Sequence, residues 1–331
     1  MKKSKIVYII LGIIVAILSF IIFYNIIQTF AKNRLFEGFN EPKKYECYNW
    51  WPTTFTDGCD KGIVDGLIKP LTVDIKAKKI NIYSVFEQNK QSPKKSIDQE
   101  ISMQLSGESY CEPPENYDVN LVMEKEDLNK GIITVPWAYS DLCSKNTPEK
   151  TKEILEGLTK RRTIDGGLPI KDKKFCIFVV SNPSNPIRND FFKKLSEYKK
   201  VDSYGKYENN MPNEEYTPEK IREYKFMICF ENKAKDEYFT EKLMNAYLEK
   251  TVPIYWGCTN IGDYVNMEAI QLLQSDEETK MAELIEKIKE LDNNDEKYRE
   301  AYETIFFKDG KLPDAFNMEI LKTKIEKITK T

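Results

Sequence analysis

Residues 225–257 read KFMICFENKAKDEYFTEKLMNAYLEKTVPIYWG, and their pattern indicates the fold class. Two short apolar runs, at 225–230 and 252–256, flank a segment at 240–249 whose apolar positions have helical spacing. Short apolar runs bounded by polar turns are typical of buried strands. A strand, a helix and a second buried strand in succession are typical of a parallel sheet, because a helix must carry the chain back. The stretch therefore predicts an α/β fold.

The same alternation extends to both sides of this stretch. An apolar run at 175–180 is followed by a proline-rich turn and by a helical segment at 189–198. Another helix is predicted from Thr217, which stands at the capping position before a proline, to Tyr224. Apolar residues over 281–291 recur at helical spacing and indicate a packed helix face. The second half of the chain is predicted to be one α/β domain.

The first half predicts a second domain. Strand candidates lie at 79–86, 101–105 and 131–135. A helix is expected to begin at Thr147-Pro148, and the sequence Asp165-Gly166-Gly167 breaks the chain after it. Nearly 290 residues follow the N-terminal region, about twice the usual ~100–150 residues of a domain. We therefore expect two domains, at residues 45–167 and 168–331.

The N-terminal region is predicted to be a membrane anchor. Residues 6–27 are almost wholly apolar and would form about 33 Å of helix, enough for a bilayer core of ~30 Å. We expect a cytoplasmic tail at 1–5, a transmembrane signal anchor at 6–30 and a polar stalk at 31–44. A cleaved signal peptide or a buried core helix is the alternative. Lysines and arginines on both flanks leave the orientation open, and the bulk of the chain favours a lumenal location.

Composition excludes several classes of function. The 331 residues carry 50 Lys+Arg and 53 Asp+Glu, a net charge of −3, which argues against a nucleic-acid partner. Histidine is absent, so no mechanism can use an imidazole base or ligand. Seven cysteines occur without a C-x-x-C pair, which argues against a structural zinc site. We hypothesise disulfides between Cys47 and Cys59 and between Cys111 and Cys143.

Two cationic residues follow predicted strands of the second domain. Arg188 stands next to the N-terminus of the helix predicted after 175–180, and Lys242 opens the helix after 225–230. Ligands of open α/β sheets bind at the carboxyl ends of the strands, so both cations are expected to meet one anion such as a diphosphate. Neither G-x-G-x-x-G nor G-x-x-x-x-G-K-[ST] occurs, and D-x-D, the metal-bridging pattern, is also absent. The sequence therefore predicts diphosphate binding by side chains without a metal. An ordinary solvated cation is the alternative at each position.

These residues resemble the donor-site motifs of the α-1,3-fucosyltransferases, glycosyltransferase family 10. The segments that carry the resemblance are Phe230-Glu231-Asn232, Tyr238 to Leu243, Val252 to Gly257, Val180 to Pro183 and Pro186 to Asn189. The resemblance covers residues 174–265 and is patchy before Lys174. In the earlier part, it rests on Asn49-Trp50-Trp51, Gly107-Glu108-Ser109 and Pro136.

The resemblance implies a GT-B fold, in which two Rossmann-like domains face a cleft. Residues 45–167 would bind the acceptor, and residues 168–331, with a helical tail, would hold GDP-fucose. The implied reaction is an inverting transfer from GDP-β-L-fucose to a hydroxyl, expected to be O3 of an N-acetylglucosamine-type sugar, with no cofactor beyond the donor. A glycan or glycoprotein acceptor and a single-pass type II Golgi or equivalent secretory membrane location are expected.

The resemblance also implies roles for individual residues. Arg188 and Lys242 would bind the diphosphate, Glu241 the ribose, and Asn232 and Tyr238 polar groups of the donor. Glu108 would be the general base, and a carboxylate suits this role because the chain has no histidine.

Trp50 and Trp51 are candidates for stacking on acceptor sugars, and anchoring the core of the first domain is the alternative for both. Two other functions stay open at this point. One is another inverting nucleotide-sugar glycosyltransferase, and the other is a non-catalytic, membrane-tethered glycan-binding module on the same fold.

Overall fold

A computed structural model describes residues 44–48, 50, 59–85, 99–111, 114–164 and 168–330. The predicted anchor at 6–30 and all but the last residue of the predicted stalk lie outside these ranges, as do Trp51 and the Asp165-Gly166-Gly167 break. Within the described ranges, the longest apolar helices all fall short of what a bilayer crossing requires.

The first sheet has five parallel strands, and its strands follow one another in chain order. They are β1 (Lys44–Tyr48), β2 (Lys79–Tyr83), β3 (Glu100–Leu105), β4 (Val119–Val122) and β5 (Ile132–Thr134). A helical run, here α1, consists of Lys61–Ile63, the π-turn Val64–Ile68 and Lys69–Thr72. Two helices follow the sheet, α2 (Trp137–Lys145) and α3 (Pro148–Leu158). We call this sheet and its helices the N-terminal lobe.

The second sheet also has five parallel strands, in the spatial order β10-β9-β8-β6-β7. They are β6 (Lys174–Phe178), β7 (Val201–Ser203), β8 (Tyr224–Ile228), β9 (Val252–Tyr255) and β10 (Gln271–Leu272). Its helices are α4 (Pro186–Tyr198), α5 (Glu241–Leu248), α6 (Glu278–Asp292) and α7 (Asp295–Glu303). This is the C-terminal lobe. The α/β class with parallel sheets is confirmed.

The last helix, α8 (Met318–Thr329), returns to the N-terminal lobe. It contacts α1, β4 and β5, and its Leu321 and Ile325 are buried in the core of that lobe. Lys324 of α8 pairs with Glu126 of the N-terminal lobe at 2.6 Å. The helical tail, which the sequence order assigned to the second domain, therefore completes the first one.

The two lobes are packed together through α2 and α5. The amide of Ala138 in α2 donates to the carbonyl of Phe239, just before α5, at 3.2 Å. Arg162, in the connection between the lobes, lies between the rings of Tyr247 and Tyr302, at 3.8 and 4.0 Å from their centroids. Its guanidinium also donates to the carbonyl of Thr251 at 2.7 Å. These contacts fix the connection on the C-terminal lobe.

The cysteine hypotheses have different outcomes. Cys47 and Cys59 form a disulfide with their Cα atoms 5.0 Å apart, which ties β1 to the start of α1. The second pairing is wrong, because neither Cys111 nor Cys143 is part of a disulfide. Cys143 is buried within α2, whereas Cys111 lies in the loop after β3 and donates to the Glu124 carboxylate at 3.7 Å. The remaining three cysteines, Cys176, Cys229 and Cys258, are buried thiols.

Candidate functional site

The carboxyl ends of β6 and β8 open onto a cavity of about 320 Å³ in the C-terminal lobe. Four of the predicted donor-binding residues line it, namely Arg188, Asn232, Glu241 and Lys242. The cavity thus lies where ligands of parallel sheets bind, beyond the strand ends. Asn182, in the turn after β6, and Asn245, in α5, also line it.

Arg188 is positioned by the first turn of α4. The side chain of Asn185 caps this helix by accepting from the Arg188 amide at 3.2 Å, and Pro186 occupies the first turn. The buried guanidinium donates from Nη1 to Asn232 Oδ1 at 3.2 Å and from Nη2 to the carbonyl of Asn182 at 2.6 Å. Burial lowers the pKa of Arg188, yet a guanidinium stays charged in proteins. The result is a fixed positive charge at the cavity wall.

Lys242 is positioned by the first turn of α5 and by a buried carboxylate. Its Nζ lies 3.0 Å from Glu231 Oε2 and 3.0 Å from Thr240 Oγ1. Burial opposes the charge on Lys242, but the carboxylates of Glu231 and Glu241 outweigh burial and raise its pKa above the ordinary value. Lys242 is therefore a cation throughout the physiological range. Arg188 and Lys242 line the same cavity and together suit a doubly charged anion such as a diphosphate.

Glu231 is a residue of the site that the sequence reasoning did not single out. It is fully buried, and it accepts from the amide of Thr240 at 2.9 Å and from the Thr240 hydroxyl at 2.7 Å, besides its contact with Lys242. Burial raises its pKa, and the Lys242 ammonium opposes that rise. Its position directly after an apolar strand was the available signal, since a carboxylate there must either be solvated or have partners.

Gly257, at the end of the 225–257 stretch, gives Glu231 its space. Its φ is +148°, and a β-carbon at this position would overlap Cβ and Cγ of Glu231. Only glycine lets the two segments approach so closely. The turn after β9 thus leaves room for Glu231, the carboxylate that pairs with Lys242.

Asn185 is a second residue that the sequence reasoning did not single out. Besides capping α4, its side-chain amide donates to the carbonyl of Glu231 at 3.1 Å and to that of Asn232 at 3.3 Å. It thereby joins the two loops that follow β6 and β8. The signal was an asparagine directly before a proline at a predicted helix start.

The other predicted donor residues differ in their surroundings. Glu241 Oε1 lies 3.7 Å from Lys242 Nζ, and the Glu241 side chain is partly exposed. Tyr238 is buried, and burial together with the charge of Glu231 raises the pKa of its phenol. It is not among the residues that line the cavity, whereas the other four predicted donor-binding residues are.

Glu108 lies in the tight loop after β3 of the N-terminal lobe. Its amide donates to Ser106 Oγ at 3.2 Å, and Ser106 Oγ donates to the Tyr110 carbonyl at 2.8 Å. Burial raises the pKa of the Glu108 carboxyl, the positive charge of Lys242 lowers it and the negative charge of Glu241 raises it. Two charges of the C-terminal lobe, those of Lys242 and Glu241, thus act on the carboxyl of Glu108 in the N-terminal lobe. Its raised pKa suits a general base.

Of the two tryptophan candidates, the structure describes only Trp50. Trp50 is buried in the core that α1 and the first sheet share, as in the alternative given above, and Trp51 lies outside the described residues. For the part of the chain that the structure covers, no group of three or more acidic or thiol side chains is arranged to hold a metal ion.

Comparison with known proteins adds to this geometry. Residues 168–305 match the family described as glycosyltransferase family 10 (fucosyltransferase), C-terminal domain. The α-(1,3)-fucosyltransferase FucT of Helicobacter pylori is 39% identical over 99 residues, which are 30% of this chain and 20% of that protein. The human GDP-fucose protein O-fucosyltransferase 3 is 29% identical over 195 residues, 53% of this chain and 40% of that protein. The chain thus spans less than half the length of these curated relatives.

Solved structures extend the likeness to most of the chain. A crystal structure of an α1,3-fucosyltransferase with GDP-fucose superposes with a TM-score of 0.66, covering 88% of this chain and 91% of that chain at 20% identity. A structure of an α1,3-fucosyltransferase described without ligand gives a TM-score of 0.67 at 19% identity, with 88% and 91% covered. At such identities the likeness shows the fold, which is the two-lobed fold expected from the sequence. Residues 168–305 are thus similar to the C-terminal domain of glycosyltransferase family 10.

Proposed function

We propose that this protein is an inverting fucosyltransferase that moves L-fucose from GDP-β-L-fucose to a hydroxyl group of an acceptor. The observation that carries the proposal is the convergence of Arg188 and Lys242 on one cavity, with the Glu108 carboxyl of the other lobe close enough to feel the charge of Lys242. The similarity of residues 168–305 to the fucosyltransferase family favours GDP-fucose over other nucleotide sugars as the donor.

The proposed chemistry is a single displacement. The acceptor oxygen attacks the anomeric carbon of fucose, and the bond from that carbon to the phosphate oxygen breaks with its electron pair leaving on GDP. Glu108 takes the proton of the acceptor hydroxyl. Arg188 and Lys242 stabilise the negative charge that develops on the leaving diphosphate, and preorganised charges of this kind contribute ~10²–10³ in turnover each. Attack opposite to the leaving group converts the β-linked donor to an α-linked product.

The acceptor is proposed to be a sugar hydroxyl, O3 of an N-acetylglucosamine-type residue. The similarity to the α-(1,3)-fucosyltransferase of Helicobacter pylori supports this choice. A serine or threonine hydroxyl of a protein is the second candidate, because relatives named as protein O-fucosyltransferases match a larger share of the chain, 53% in the human case.

The test uses the purified full-length protein with GDP-fucose and three acceptors: N-acetyllactosamine, a glucose-type sugar and a serine- and threonine-containing protein domain. We expect GDP release and an acceptor heavier by one deoxyhexose, with the sugar acceptor preferred. The Glu108→Gln variant is the matched control and should bind GDP normally without transferring fucose. Consumption of a UDP-sugar in place of GDP-fucose would favour another glycosyltransferase, and no consumption of either would favour a non-catalytic binding module.

We propose further that residues 6–30 anchor the protein in a Golgi or equivalent secretory membrane, with the lobes in the lumen. The uncharged apolar run supports the anchor, and the Cys47–Cys59 disulfide suits an oxidising compartment. In sealed membrane vesicles, both lobes should resist added protease until detergent is present. Digestion of the lobes in intact vesicles would contradict the proposed orientation.

A further inference from the structure

Lys235 joins the two lobes beside the proposed active site. It lies in the loop between β8 and α5, where its backbone is held by the C-terminal lobe. Its amide donates to the carbonyl of Gly257 at 3.2 Å, and its carbonyl accepts from the amide of Thr259 at 3.3 Å. The root of the side chain therefore moves with the donor-binding lobe.

The ammonium of Lys235 makes its contacts in the other lobe. Nζ donates to the carbonyl of Ser109 at 3.0 Å and forms an ion pair with the Glu124 carboxylate. Ser109 is the residue after Glu108, the proposed base. The carbonyl that Lys235 contacts is therefore part of the same tight loop as Glu108. Glu124 follows β4 and is fixed there, because its carbonyl accepts from the Thr134 hydroxyl at 2.6 Å.

The contact is partly shielded from water. The side chains of Lys235 and Glu124 are 25% and 33% exposed, so water screens this ion pair less than it screens a pair of fully exposed charges. The Glu108 loop has internal hydrogen bonds through Ser106, but these bonds fix its shape and do not fix its distance to the donor lobe. Lys235 supplies such a link between the lobes.

We infer that Lys235 is a positioning residue that holds the Glu108 loop at the working distance from the donor-binding cavity. The expected effect on catalysis rests on the proposed function. Lys235 is not one of the residues that line the donor-binding cavity. Lys235 lies in the same loop and helix start as Asn232 and Lys242, so movement of one lobe against the other would act on this contact directly.

The test compares Lys235→Met with Lys324→Met in the full-length protein. Methionine keeps much of the stem and removes the ammonium. Lys324 is a matched control, because it forms an ion pair of similar exposure, 18% and 35%, with Glu126 of the same lobe but does not contact the Glu108 loop. We expect Lys235→Met to lower kcat by about 10- to 100-fold, because a displacement of ~1 Å can cost ~10²-fold, with the KM for GDP-fucose within about twofold. Lys324→Met should leave both near the unmodified values.

Three further measurements separate positioning from general stabilisation. Lys235→Arg should recover most of kcat, and Glu124→Gln should lower kcat without adding to the effect of Lys235→Met, because the two residues act as one contact. Amide hydrogen exchange over residues 106–111 should be faster in Lys235→Met and unchanged in Lys324→Met. Equal kcat in the two methionine variants, or unchanged exchange over 106–111, would overturn the inference. Faster exchange in a protein that transfers no fucose would refute the proposed function and still support the link.

Discussion

Replacing Glu231 with glutamine removes a negative charge from a fully buried position and barely changes the side chain's shape. The carboxylate accepts from the Thr240 amide and hydroxyl and pairs with Lys242 at 3.0 Å. Removing one partner of a buried ion pair costs ~3–5 kcal/mol of the free energy of unfolding. Lys242 retains 27% exposure and has Glu241 at 3.7 Å, so part of its charge stays compensated. We therefore expect a loss near the lower limit, about 3 kcal/mol.

The measurement is urea denaturation followed by tryptophan fluorescence, at a pH where the carboxylates are ionised. Glu241→Gln is the control, because it removes the same charge beside the same lysine from a side chain that is 29% exposed. That variant should lose about 1 kcal/mol or less. If the two variants unfold within about 1 kcal/mol of each other, then Glu231 is not the charge partner that holds Lys242, and the reasoning fails.

Three other substitutions test the site. Glu108→Gln should lower turnover by about 10²-fold or more while calorimetry finds GDP affinity unchanged. Because burial raises the pKa of Glu108 and only its ionised form accepts a proton, kcat/KM of the unmodified protein should fall with decreasing pH at a higher pH than for a solvated glutamate; an acid limb at the solvated position would contradict this. Arg188→Lys should weaken GDP binding about 10-fold or more, since one ammonium cannot make the divergent bonds to Asn182 and Asn232, and equal affinity would argue against the guanidinium. Gly257→Ala should lower stability by roughly 2 kcal/mol or more, and an unchanged thermal midpoint would show that the turn relaxes.

The parts of the fold that follow from long apolar runs were predictable from the sequence. Strands β8 and β9 and helix α5 occur close to their expected bounds, because each has a clear period and sharp polar limits. The predicted helix at 217–224 is instead the 3₁₀ segment Pro218–Glu223. Its six residues are too few to show which helical hydrogen-bond pattern they adopt.

The missed elements have specific reasons. Strand β4 contains Asn120, whose side chain is satisfied internally by the carbonyl of Pro114 at 3.1 Å, and this polar residue interrupts the apolar run. Helix α1 contains Gly66, which disfavours helix, but a β-carbon there would overlap the carbonyl of Cys143 in α2. Close packing of α1 against α2 therefore requires glycine at position 66, although glycine has a low helix propensity.

The candidate site was predictable to the extent that it follows strand ends. Arg188 and Lys242 each begin a helix after a strand, so their approach to one cavity follows from the topology. The position of Glu108 depends instead on how α2 and α5 bring the lobes together, and the sequence pattern does not contain that contact. Glu231 was quoted as part of a motif but given no role, because its partners become neighbours only when the loop between β8 and α5 folds back.

The return of α8 to the N-terminal lobe affects the order in which the lobes mature during synthesis. The ribosome completes residues 44–164 early, yet Leu321 and Ile325, which fill the core of that lobe, are translated only after the whole C-terminal lobe. The C-terminal lobe is continuous in sequence from β6 to α7 and can become compact first. Until α8 emerges, the nascent N-terminal lobe exposes an apolar surface to solvent and to chaperones. A premature stop codon shortly before residue 318 would thus damage the lobe that was translated first and spare the one encoded nearest to the stop.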